Sequence, residues 1–116
     1  MAYPEEINRL SLSDYVAMEE AAEFRSEFYN GEVYAMSGGT PAHSRIALDS
    51  AYAMIDAFRP GGCEVFESGL MIQVESLNAV LYPDVSVFCG PLESDPSMPN
   101  LIRHPSLILE VLSRGN

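Results

Sequence analysis

An α+β fold, built as a mixed sheet covered by helix, is what this chain of 116 residues predicts, on three observations. Asn30-Gly31 stands between two aromatic and apolar runs, a strong short-range signal for an antiparallel hairpin. A capped helical stripe follows it. From Cys63 onward the pattern turns to short runs rich in β-branched and aromatic residues, which suit strands. Such strands and stripes bury their apolar faces by packing sheet against helix.

Taken in order, Leu10 to Tyr15 opens a first helix. Ser11 supplies a cap oxygen, Asp14 sits near the positive N-terminal end, and Leu10 with Tyr15 can form a hydrophobic staple. That helix should run to about Ala22. The hairpin comes next, Glu27 to Tyr29 and Val33 to Met36, because both turn residues tolerate the positive φ of a type I′ turn. Thr40 as N-cap and Pro41 at the first helical position start a longer helix. Its stripe is predicted through Ile46, Ser50, Ala53, Met54 and Ala57, and Arg59-Pro60-Gly61-Gly62 stops it. Strands are then predicted over Cys63 to Phe66, Leu70 to Val74, Val80 to Cys89 and Leu107 to Leu112. Gly90 to Pro105, rich in proline, serine and acids, reads as a surface loop.

Composition narrows the function classes. With 47% apolar residues the chain is globular, and at this length it forms one domain or a piece of one. A net charge of −11 opposes nonspecific binding to nucleic acid, which needs a positive field. All six basic residues are arginines, Arg9, Arg25, Arg45, Arg59, Arg103 and Arg114, and lysine is absent. Met1 to Glu6 lacks the basic start and apolar run of a signal peptide, and no stretch is long and apolar enough to span a membrane. Cys63 and Cys89 lack metal-ligand spacing and read as reduced thiols, which fits a cytoplasmic location.

Two acids stand out. Asp84 lies in the run Val80 to Cys89, and Glu110 in Leu107 to Leu112. A carboxylate in an apolar strand is costly unless it is paired, protonated or bound to a cation. On adjacent strands the two could share one divalent ion, and Mg²⁺ accepts one or two carboxylates with water completing its shell. The alternative is that either acid sits at a strand end facing solvent. Ser37-Gly38-Gly39 before a helix has the look of an anion-binding loop but lacks the fuller glycine pattern or lysine of a P-loop. His104, before Pro105 in the loop, receives no role.

Pro83-Asp84-Val85 followed by Glu110-Val111-Leu112-Ser113 resembles the signature of PD-(D/E)XK nucleases. Further matching segments are Glu27 with Asn30 to Gly39, Pro41 to Ile46, Tyr82 to Val85 and Leu107 to Ser113. Through them nearly the whole chain is similar to the Uma-type family of bacterial "putative restriction endonucleases". The resemblance implies a single restriction-endonuclease-like domain over residues 1–116 and a Mg²⁺- or Mn²⁺-dependent DNA endonuclease activity. Asp84 and Glu110 would then be the metal-binding catalytic acids. An acid of the hairpin, Glu27 or Glu32, and His43 at the helix start would assist. The plainer readings are a solvent-facing strand residue for Glu32 and a surface group for His43.

Departures from that pattern are also visible. The signature expects lysine two residues after Glu110, where Leu112 stands, and an acid where Gly69 stands. Ser113-Arg114-Gly115-Asn116 replaces the usual Ser-Pro-Ser-Thr continuation. These departures imply a copy lacking its closing C-terminal elements, of low or no activity, with Arg114 the sole arginine near Glu110 in sequence. The competing reading is a non-catalytic nuclease-fold remnant that binds or oligomerises, as a homodimer for instance. An acidic mimic of nucleic acid rests on charge alone.

Overall fold

The computed structural model describes residues 9–112. The readings placed on Met1 to Glu6, Ser113 and Arg114 lie outside these residues.

Helix α1 spans Leu12–Ala21, and its N-cap Ser11 accepts the Asp14 N–H at 3.1 Å. Strands β1 (Ser26–Tyr29) and β2 (Glu32–Ala35) form the predicted hairpin, with Tyr29 opposite Glu32. Asn30 and Gly31 both take positive φ, 47° and 94°, as a type I′ turn requires. Helix α2 spans Pro41–Phe58, capped by the Thr40 hydroxyl on the His43 N–H at 3.1 Å. A 3₁₀ turn over Arg59–Gly61 and Gly62 at φ 94° end it. The later strands are β3 (Glu64–Phe66), β4 (Met71–Val74), β5 (Ala79–Leu81), β6 (Val85–Phe88), β7 (Glu93–Asp95), β8 (Met98–Arg103) and β9 (Leu107–Leu109).

Among the described residues, nine strands divide between two sheets. One has six strands in the order β2-β1-β5-β4-β8-β7, antiparallel except for the parallel β4–β8 pair; the other is the antiparallel set β3-β6-β9. Strand alternation sends consecutive residues to opposite faces. Met71 and Leu101 therefore join Tyr15, Val16, Phe28, Val80 and Tyr82 in the core under α1. Their neighbours Ile72 and Ile102 instead meet Phe88 and Phe66 of the smaller sheet. The six-stranded sheet is thus covered on one face by α1 and on the other by the small sheet, with α2 packed on β3 and β6. This mixed α+β architecture agrees with the class predicted from sequence.

Four expectations are corrected. The run Val80 to Cys89 is two strands in different sheets, because Pro83 has no N–H to give a ladder and the chain crosses over at Tyr82-Pro83-Asp84. The strand from Leu107 stops at Leu109, so Glu110 stands just past its end. The presumed loop Gly90 to Pro105 contains β7 and β8, and Leu101 at its centre is only 1% exposed. Pro91, Pro96, Pro99 and Pro105 concealed this. Pro99 is accommodated where the β7–β8 register shifts beside Ser94 and Asp95, a bulge that needs no ladder donor. The fourth concerns Cys63 and Cys89, which are joined by a disulfide. The pairing of Glu64 with Phe88 places them opposite one another, a register that a separation of 26 residues does not disclose.

The face of α2 also differs in detail. Ser50 and Met54 are half-buried as predicted, but their companions are Ala47, Ala51 and Ile55; Ile46, Ala53 and Ala57 are exposed. Small residues at 47 and 51 let the helix lie close to the sheet.

Two predictions follow from these elements. Gly31→Ala should lower stability by about 1–2 kcal/mol, since its φ is left-handed. The new Cβ would also stand 2.9 Å from Arg9 Cγ. Chemical denaturation checks this. The second concerns His104, whose ring lies between Glu93 at 3.2 Å and Glu75 at 2.9 Å, tying β7 and the turn after β4 to the end of β8. Hydrogen bonds to Glu93 and then Glu75 raise its pKa above 6.5. The folded state therefore binds the proton more tightly than the unfolded state, and the resulting stability is full below 6.5 and lost as pH rises through the elevated value. His104→Asn keeps the positive φ accessible, so wild type should melt above it at pH 5.5 and match it at pH 9.

Candidate active site at the end of the three-stranded sheet

Strand β6 begins where Asp84 ends the crossover, and β9 finishes one residue before Glu110. Because Val85 pairs with Leu109, the two acids occupy the next position of the same antiparallel ladder. There side chains take over from backbone. The Asp84 N–H donates to Glu110 Oε1 at 2.9 Å, and the Val111 N–H donates to Asp84 Oδ2 at 2.7 Å. Each acid is fixed by the other strand's main chain. Asp84 Oδ1 and Glu110 Oε2 accept no hydrogen bond from the described residues.

The first turn of α2 delivers His43, whose Nε2 lies 3.4 Å from Asp84 Oδ2. The chain must pass close to this ring, and Gly39 permits it: a Cβ there would come 2.8 Å from His43 Nδ1. From the hairpin comes Glu27, whose Oε2 accepts the Tyr82 N–H at 3.0 Å. Glu27 thereby holds the backbone two residues before Asp84. Its neighbour Phe28 points the other way, into the core under α1. Glu27, His43, Asp84 and Glu110 line one open cleft of about 1040 Å³. Glu32 does not line it. That carboxylate accepts the Tyr34 hydroxyl on the exposed outer strand β2.

Electrostatics inside the cleft are strained by like charge. Desolvation raises the Glu110 pKa above its usual range, and the charges of Asp84 and Glu27 push it further. The Asp84 N–H and His43 oppose the rise. Glu23 and Glu67 add to the acidic lining. Among the described residues no group of three or more His, Cys, Asp or Glu side chains is arranged to hold a metal ion.

Three contributors escaped the sequence reading. Glu19 of α1 accepts the Ser26 N–H at 2.9 Å and the Tyr82 hydroxyl at 2.7 Å, locking α1 to the crossover segment. Tyr82 is buried; desolvation and the hydrogen bond to Glu19 raise its pKa, so the phenol stays a neutral donor. Arg25 rests on the Tyr82 ring, its guanidinium carbon 5.1 Å from the centroid, and it also lines the cleft. Position gave a signal for Arg25 alone: it stands two residues before Glu27, on the same side of the hairpin.

Comparisons with known proteins bear on the fold and the family. Over 105 residues the chain is 35% identical to "Uncharacterized protein slr1290" of Synechocystis, covering 90% of this chain and 54% of that protein. It is 28% identical over 104 residues to "Uncharacterized protein sll1609" of the same organism, covering 90% of this chain and 59% of the relative. The chain thus spans little more than half the length of these relatives. A crystal structure from Anabaena variabilis, described as a putative nuclease belonging to DUF820, superposes with a TM-score of 0.72 at 19% identity. It covers 92% of this chain and 60% of its own, and the likeness shows a shared fold. The family model described as "Putative restriction endonuclease" matches residues 12–116, and this chain belongs to that family, Uma2.

Proposed function

We propose that this chain is the core of a metal-dependent DNA endonuclease of the PD-(D/E)XK type, hydrolysing phosphodiester bonds, with low or no activity because Leu112 stands where the signature places lysine. One observation carries the reading. At the mouth of a cleft the Glu110 carboxylate is pinned on the Asp84 N–H and the Asp84 carboxylate on the Val111 N–H, each with one oxygen that no described residue bonds, and Glu27 and His43 lie alongside. Two acids set side by side raise the charge of the cleft and perturb Glu110, which is a mark of a functional site.

These residues fit a hard divalent cation such as Mg²⁺ or Mn²⁺. Asp84 and Glu110 offer two oxygen donors; desolvation, and after it the charge of Asp84, raises the Glu110 pKa, and a cation would offset both. Water and phosphate oxygens would fill the remaining positions, as is usual for Mg²⁺. When bound, such an ion polarises the phosphodiester and lowers the pKa of an attacking water. The chain's own part is positional. Glu27 holds the Tyr82 backbone, and through it the approach of Asp84. His43 flanks Asp84 Oδ2. Glu27, not Glu32, is the hairpin acid present in the cleft. Leu112, 88% exposed, occupies the position where the signature places lysine. Preorganised positive charge is usually the largest catalytic contribution, so its loss there should leave hydrolysis slow.

A specific observation also favours the oligomerising alternative. Among the described residues β9 is the outer strand of the three-stranded sheet, and Leu107, Ile108 and Leu112 are exposed. Unpaired apolar edges of this kind associate readily. Light scattering that finds a concentration-dependent homodimer would support an interaction role.

Purified protein should bind Mn²⁺ weakly, seen as a rise in melting temperature; at tenfold excess over Kd the gain is about 1.4 kcal/mol. Asp84→Ala and Glu110→Ala should abolish that rise. Plasmid incubated with the protein and Mn²⁺ should be cut slowly or not at all. Robust cleavage lost in both variants would refute the low-activity part of the proposal, and an unchanged Mn²⁺ response in them would refute the site itself.

Stability should separate the two roles of Asp84. Asp84→Ala leaves the half-buried Val111 N–H without its acceptor and should cost about 1–3 kcal/mol. Asp84→Asn keeps an acceptor while removing the charge that opposes Glu110. Its urea midpoint should equal or exceed that of wild type.

A further inference from the structure

We propose that Arg25 is the phosphate-contacting residue of this cleft, taking the place of the lysine that the strand of Glu110 lacks. The inference rests on the nuclease reading above and adds to it the source of positive charge. Among the described residues lining the cleft, Arg25 is the single lysine or arginine, set against Glu23, Glu27, Glu67, Asp84 and Glu110. An anionic phosphate entering there meets a negative field that one guanidinium is placed to offset.

Its placement is built by the fold. The Met36 N–H donates to the Arg25 carbonyl at 3.2 Å, which carries the hairpin ladder one step beyond Ser26. Strand alternation then puts Arg25 on the same face as Glu27. The guanidinium is stacked on Tyr82, while one nitrogen, Nη1, donates to the Ser68 carbonyl at 3.0 Å. Tyr82 in turn gives its N–H to Glu27 and lies two residues before Asp84. Arg25, Glu27 and Asp84 are therefore all referenced to one buried tyrosine. A guanidinium has five N–H donors in a planar fork suited to phosphate, and the described contacts commit only one nitrogen. Stacking on the ring fixes the plane and reduces the freedom lost when a ligand binds.

The test is binding of a fluorescein-labelled 16-base-pair DNA duplex to the whole chain, by anisotropy, in CaCl₂ over a series of salt concentrations. Arg25→Gln should weaken binding about tenfold and reduce the slope of log K against log salt by about 0.9, the share of one phosphate contact. Arg25→Lys keeps the charge but not the fork, so its slope should match wild type while its affinity falls in between. A merely structural role would lower affinity in both variants without moving the slope in Arg25→Gln. Should Arg25→Gln not fold, phenylglyoxal labelling of wild-type Arg25, read by mass spectrometry, decides the matter. Saturating duplex should protect the residue, and equal labelling with and without duplex overturns the proposal. Unchanged affinity and slope in a folded Arg25→Gln overturns the role of Arg25 and leaves the nuclease reading standing. Absence of any duplex binding by wild type removes the nuclease reading and this inference together.

Discussion

The exchange between Asp84 and Glu110 is the interaction on which the site depends. A β ladder normally continues through backbone pairs, yet here the next rung is made by two side chains, each bonded to the opposite strand's N–H. Two consequences follow. The strands stay joined for one more step, so the acids are held as firmly as ladder residues. Each carboxylate also spends one oxygen on structure, and its other oxygen accepts no hydrogen bond from the described residues. A pair placed by regular strand geometry alone would be parallel neighbours with no such division of labour.

Pro83 makes this possible. Its missing N–H ends β5 in one sheet and lets β6 begin in the other, so Asp84 sits at the seam between the two. The seam is then braced from three directions. Glu27 takes the Tyr82 N–H, Glu19 takes the Tyr82 hydroxyl, and His43 stands beside Asp84. Hairpin, first helix and second helix each contribute one contact. Glu110 carries the cost: desolvation first, and then the charges of Asp84 and Glu27, raise its pKa.

Much of this was legible in the residues. Caps Ser11 and Thr40, the Asn30-Gly31 turn and the Gly62 stop act locally, so their signals survive without knowledge of the tertiary fold. Asp84 and Glu110 were visible as acids out of keeping with apolar surroundings. What sequence could not disclose depended on register or on partners far along the chain. Leu101 and Ile102 are a two-residue apolar run among prolines, and only pairing with β4 shows that both faces are buried. Cys63 and Cys89 meet because Glu64 opposes Phe88. Reading Val80 to Cys89 as a single strand gave the run's composition more weight than Pro83, a signal that was present and decisive.

The acidity of the chain constrains what the cleft can do, but less than the net charge suggests. At physiological ionic strength charges are screened over about 8 Å, so remote surface acids weigh little on a bound phosphate. The lining charges govern, and they are close and incompletely solvated. Asp84 and Glu110 are the acids a cation would neutralise, while Glu27 is engaged with the Tyr82 backbone. Glu67 is likewise engaged with the Gly69 N–H at 2.8 Å. Without a cation and without Arg25, nothing described in the cleft but His43 could carry positive charge. A bound cation would remove the repulsion that loads Glu110 and reverse the local field in one step. On the proposed function, metal binding and phosphate entry would thus be coupled by electrostatics, and an acidic chain could approach a polyanion through this cleft without a basic surface elsewhere.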